Sequence, residues 1–178
     1  MKKIIAVAFM MFIMLPLVAN ADNFTGTVKT ITLKASVIND VTGKLASKSL
    51  LIKADPSEVN NCTIAITDTG SGYGTVVGDI VIAANNLHIH FGGDIIMSGT
   101  KLIGHIPASG SFDVVDSNSV TETTTFDAAC IFSGVANSTN TAGSVLIKLT
   151  PFNEVNSFAS NPMPLTITIP AIKGVIAP

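Results

Sequence analysis

The most pointed chemistry in this chain is a pair of imidazoles two residues apart, in the run Leu87-His88-Ile89-His90-Phe91. On a strand, such a run puts His88 and His90 on one face and Leu87, Ile89 and Phe91 on the other. Ring nitrogens at that spacing can share a transition metal, with Met97 and His105 on following strands as completing ligands. Zn²⁺ or copper suits nitrogen donors, and the Met97 thioether favours Cu(I). The competing reading is structural, with the apolar face packed inward and both rings pointing to solvent or a groove. Asp113, Asp116, Ser117 and Asn118 offer the oxygens Ca²⁺ prefers, but their spacing matches no calcium loop and suits a solvated turn. Gly70, Gly72 and Gly74 lack the following helix that would complete a phosphate cradle. A Gly-x-Ser-x-Gly nucleophile elbow does not occur.

Asp68-Thr69-Gly70 resembles the Asp-Thr-Gly signature of aspartic proteases, which implies a carboxylate at a strand end that activates water. That chemistry needs two carboxylates sharing one proton. The signature occurs once here, so only a homodimer would supply the second. The same residues also read as a hairpin turn. The His-x-His run is similar to the metal motif of several β-sheet metalloproteins.

Around these residues the composition is quiet. Of 178 residues only 12% are charged, the net charge is −2, and all ten basic residues are Lys. Without Arg there is no bidentate clamp for phosphate or carboxylate. Scattered lysines in an acidic chain form no stripe able to displace counterions, which excludes nucleic acid as a partner.

Residues 1–21 read as a secretory signal peptide: Lys2 and Lys3, an unbroken apolar run over 4–15, Pro16, and an Ala19-Asn20-Ala21 cleavage site. The run is shorter than the roughly 20 residues a membrane helix needs. Two lysines leave with it, so the remaining domain, 22–178, carries −4. The expected location is the periplasm, the cell surface or the extracellular space. In an exported chain two cysteines, Cys62 and Cys130, point to an intramolecular disulfide. Closing so long a loop would restrict the unfolded chain by roughly 4 kcal/mol.

The hydrophobic period is two almost everywhere. Ile31, Leu33, Ala35 and Val37 alternate with Thr32, Lys34 and Ser36, and eleven further short runs follow between 45 and 169. Turn signals separate them at 39–40, 42–43, 70–72, 85–86, 92–93, 98–99, 109–110 and 117–118. Many short strands at near-regular spacing predict an all-β fold, an antiparallel β-sandwich of immunoglobulin-like or jelly-roll-like type. The one helical signal is Asp55-Pro56-Ser57-Glu58, a capping pattern for at most one short turn near 55–60. Pro162, Pro164, Pro170 and Pro178 predict an edge position for the last strands. A membrane barrel shares the period of two but needs aromatic girdles, and after the leader there remain one Tyr, seven Phe and no Trp.

Ser, Thr and Asn supply 46 of residues 22–178, the hydroxyl and amide surface of extracellular β-proteins that adhere or tile. With its leader, domain size, paired cysteines and alternating N-terminal segment, the chain resembles bacterial fimbrial or surface-fibre subunits of the chaperone-assembled type. The resemblance implies self-association, in which residues 24–38 of one subunit complete the sheet of the next. The spacing of the cysteines and the Ala-Pro terminus depart from that family. The expected function is a secreted, non-enzymatic structural or adhesive protein of the cell surface. The alternatives are an exported binding module, for a metal at the His-x-His strand or a small apolar ligand between sheets, and a dimeric aspartic-type hydrolase.

Overall fold

A computed structural model describes residues 21–38, 45–83, 86–115, 119–155 and 164–178. The leader, apart from Ala21, lies outside the described residues. So do the turn signals at 39–40, 42–43 and 117–118, Asn85, Asp116 and Pro162.

Among the described residues ten antiparallel strands follow one another: β1 (Ala21–Thr27), β2 (Thr30–Ile38), β3 (Leu45–Lys53), β4 (Asn60–Gly70), β5 (Tyr73–Ile82), β6 (Leu87–Ser98), β7 (Lys101–Val115), β8 (Thr121–Ala136), β9 (Ala142–Val155) and β10 (Pro164–Ala177). The all-β antiparallel class is as expected, but the sandwich is not. Eight strands pair in the order β1-β4-β5-β6-β7-β8-β9-β10, and β10 returns to β1 through Asn23↔Ala177 to Thr27↔Lys173, closing a barrel. Closure leaves these strands without open edges, which a sandwich would have kept.

Two misread turn signals account for the difference. Gly92-Gly93 and Ser109-Gly110 lie inside strands, so short runs join into β6 of 12 residues and β7 of 15. Gly110 is small because it pairs with Phe126, whose ring fills the place a Cβ would take. Gly78 stands in the same relation to Phe91 on the paired strand. Large rings set over absent side chains are how a narrow barrel interior is filled.

The inward positions form one core. Phe24, Ile64, Ile80, Ile89, Phe91, Phe132, Ile147, Leu149 and Ile167 are each at most 2% exposed. Phe91 and Phe132 pack with ring centroids 6.0 Å apart, and Phe112 and Phe126 at 6.1 Å.

Residues 24–38 do not form a single projecting strand. β1 is paired on both edges, to β4 and to β10. After Val28 the chain leaves the wall, and β2 pairs with the first half of β10 and with β3. Among the described residues β3 has one neighbour and so an outer edge free of a strand partner. The expected edge position of the C-terminal strand is corrected: β10 has β9 on one side and β1 with β2 on the other. Pro170 is accommodated at a register shift between Ile169 and Ile172, where no ladder donor is needed. The expected helical turn near 55–60 is a single hydrogen-bonded turn, Glu58 N donating to Asp55 O at 3.1 Å. The Ser57 hydroxyl and then its backbone N–H donate to the Asp55 carboxylate, which holds its pKa below the ordinary value.

Candidate functional site

Inside the barrel the two thiols are unbonded, and the expected disulfide is corrected. Cys62 on β4 and Cys130 on β8 sit four strands apart in an eight-strand ring, on opposite walls. A disulfide needs Cα atoms roughly 4.4–6.8 Å apart. Eight strands spaced about 4.8 Å put opposite walls at least about 12 Å apart. Burial pushes both thiols up to about 12, aided at Cys62 by the nearby Asp79 charge. These are inert packing groups, since the thiolate is the nucleophile and the ligand.

The outer wall is where polar chemistry collects. His88 and His90 both face outward from β6, as alternation predicts, while Leu87, Ile89 and Phe91 are buried. His90 lies opposite Asp79 on β5, and its Nδ1 is 2.8 Å from Asp79 Oδ1, both side chains being 59% exposed. The carboxylate accepts, so Nδ1 carries the proton and, in the neutral ring, Nε2 is left as an acceptor. His88 Nε2 donates to Asn86 Oδ1 at 3.2 Å. Asp113 accepts from the Asn86 amide at 3.2 Å and from the Thr123 hydroxyl at 2.7 Å.

The other two expected metal ligands fall elsewhere. Met97 packs against the core. His105 faces outward on β7 but is four residues, about 13 Å, from Ser109, the residue opposite His90. Among the described residues no group of three or more His, Cys, Asp or Glu is placed to hold a metal ion. Asp68 sits at the β4–β5 hairpin, where its Oδ1 accepts from Gly70 N at 2.7 Å. It is a turn residue.

Strand register brings together residues that the sequence leaves scattered. Asp79↔His90, His90↔Ser109, Ser109↔Asp127 and Asp127↔Phe152 are successive cross-strand partners from β5 to β9. All five side chains face outward. The first four line a depression of about 450 Å³ together with His88, Ser111 and Thr125. A neighbouring depression of about 390 Å³ is lined by Phe152, Pro107, Ala129 and Ile131. A third, of about 520 Å³, lies toward the other end of the same strands, between Tyr73, Asp94, Ile96, Ile103 and His105. Only the His-x-His run carried a sequence signal here; Asp79, Ser109 and Asp127 are single polar positions brought beside it through pairing alone, and Phe152, one strand further round, lines the separate depression.

Comparison with known protein families, characterised proteins and solved structures finds no match to this chain.

Proposed function

We propose that the chain is an exported, non-enzymatic β-barrel that acts at the cell surface by adhesion. The observation that carries this reading is the division between the two faces of the wall. The inside is filled by packed apolar side chains, whereas the outside carries Thr, Ser, Asp and His among exposed apolar residues such as Tyr73 and Ile96 and holds open depressions. Reacting groups need fixed geometry away from bulk water, and the Asp79–His90 pair stands more than half exposed. Asp79, His88, His90, Asp94, Asp127 and Lys148 all face outward, which suits water around the barrel and not lipid. No helix among the described residues is long and apolar enough to cross a membrane. Adhesion is favoured over fibre formation through residues 24–38, because β1 already has partners on both edges. Among the described residues, the outer edge of β3 is the one open to an added strand.

The test is binding of the purified mature chain to cells and to immobilised matrix, with electron microscopy of the same sample. Saturable attachment by a monomer is expected. Unbranched fibres that form spontaneously would favour the subunit reading, and absence of any attachment would remove the adhesive one.

A second reading, an exported metal-binding module, is favoured by one contact. A carboxylate that orients a histidine through Nδ1 leaves Nε2 aimed outward, as it is in many metal sites. Zn²⁺ and copper uptake that is equal in the wild type and in His88→Ala/His90→Ala would discard it.

A further inference from the structure

Strand pairing gathers lysines that look scattered along the chain. Lys29, Lys34, Lys48 and Lys53 all fall on the ribbon of β2 and β3 or at the turn that leads into it, and the described residues of that ribbon include no Asp or Glu. Elsewhere the described residues hold three lysines against ten acidic residues. One of those three is Lys173 on β10, the strand that carries the ribbon, and β10 has no acidic residue. Asp55, the first carboxylate after β3, accepts from Ser57. Lys29, Lys34 and Lys53 are exposed, and among the described residues no carboxylate pairs with them. The ribbon is a positive arm on a negative barrel.

The same ribbon holds the open edge. Every second residue of an edge strand turns its N–H and C=O away from the sheet, a template for a further strand. One face of the ribbon is already in use, with Ile31 buried and Leu33 and Ile52 packed against the core. On the other face register sets Lys53 opposite Thr30, Lys34 opposite Ser49 and Leu51 opposite Thr32, and Leu51 is 57% exposed. An exposed apolar side chain beside unpaired backbone invites pairing, and lysine on the edge is a common protection against it. That protection is selective. Two copies meeting edge to edge would bring lysines together with no carboxylate to offset them, whereas an acidic strand is drawn to the same edge.

We propose that the outer edge of β3 binds an extended acidic segment of another protein, which adds to the ribbon as a further strand. Main-chain hydrogen bonds along the edge supply affinity, and the lysines select acidic side chains, with an apolar one beside Leu51. A polyanion without a strand-forming backbone, such as a nucleic acid, would use the charge and leave the edge unpaired. The site stands apart from the adhesive reading, because the depressions of the barrel wall lie on β4 to β9 and take no part in it.

The probes are nine-residue synthetic peptides, matching β3 in length: one alternates Glu with Val, one alternates Lys with Val, and a third is the acidic peptide N-methylated at every residue. A single-stranded oligonucleotide of equal charge completes the set. Fluorescence titration of the mature chain is expected to show binding of the acidic peptide that weakens with added salt, and binding of the other three weaker by roughly tenfold or more. Hydrogen exchange of the complex is expected to slow amides of β3 and to leave those of β5 to β8 unchanged. Lys34→Glu with Lys53→Glu, both at exposed positions, is expected to reverse the preference toward the basic peptide without moving the thermal midpoint. No binding of the acidic peptide, equal binding of its N-methylated form or of the oligonucleotide, or protection away from β3 overturns the proposal. Concentration-dependent dimerisation of the wild type that protects β3 overturns it too, since the lysines would then fail to exclude a second copy. If the double variant does not fold, the wild-type measurements decide the question alone.

Discussion

At one end of β5, β6 and β7 the outward row reads Tyr73, Ile96, Ile103; six residues along the same strands it reads Asp79, His90, Ser109. Both rows are exposed at the surface of the same wall. Behind the first the buried neighbours are Gly74, Ile95 and Gly104, and behind the second they are Ile80, Ile89 and Ala108. The inward residues differ in size but are apolar at both ends, whereas the outward ones change from apolar to polar. Folding constrains the inside, where the buried positions are apolar apart from Asn60 and Thr124 and must have the right volume. It leaves the outside free, so the contrast between the two ends is where function can be written.

The strongest way to test that contrast is to show how little either outer end contributes to stability compared with the core they share. Phe91→Ala is expected to lower unfolding free energy by about 3–5 kcal/mol in denaturant titration, since it empties a large, fully buried site. An equally stable Phe91→Ala variant would mean that the barrel is not packed as described.

The thiols come next. A pKa raised from 9.0 to about 12 in the folded state means that unfolding releases protons once pH passes 9. The contribution is fully present below pH 9 and is lost as pH rises toward 12, so the melting temperature is expected to fall over that window. Without reductant, a thiol reagent at pH 8 is expected to find no reactive group in the native chain and two in the denatured one. Finding none after denaturation would restore the disulfide.

Smaller effects separate the two ends directly. Ile96→Ser with Ile103→Ser is expected to change stability by no more than about 0.5 kcal/mol per site, as for ordinary surface positions, while reducing binding of an apolar dye. At the polar end, a double-mutant cycle on Asp79 and His90 is expected to give at most about 1 kcal/mol of coupling, shrinking with added salt. Coupling of several kcal/mol would mark the pair as a desolvated structural element rather than part of an accessible depression.

Much of the fold was legible residue by residue. Alternation placed Ile31, Ile89 and Phe91 inward and His88 and His90 outward, and the structure agrees. The barrel was hidden by glycine. Gly92-Gly93 and Ser109-Gly110 carry the composition of turns, but Gly110 is there for the Phe126 ring on the next strand. A local rule cannot tell a glycine that bends the chain from one that makes room. The disulfide was misread for a related reason: export and a pair of cysteines set a compositional expectation, and only the strand order shows Cys62 and Cys130 on opposite walls. Of the polar depression, His88 and His90 were visible in the sequence, and Asp79, Ser109 and Asp127 were not, because they share no spacing in the chain.

The sequence by itself determined the period of two, the antiparallel all-β class, the side of the wall that alternating residues face, and a basic complement made of lysine alone. These follow from alternation and residue type, which act locally. Tertiary structure alone decided that the sheet closes, which strands become neighbours, and therefore which outward residues stand in one row. Away from hairpin turns such as Ser98↔Lys101, register is a long-range property, set when inward side chains of different strands fill a common interior.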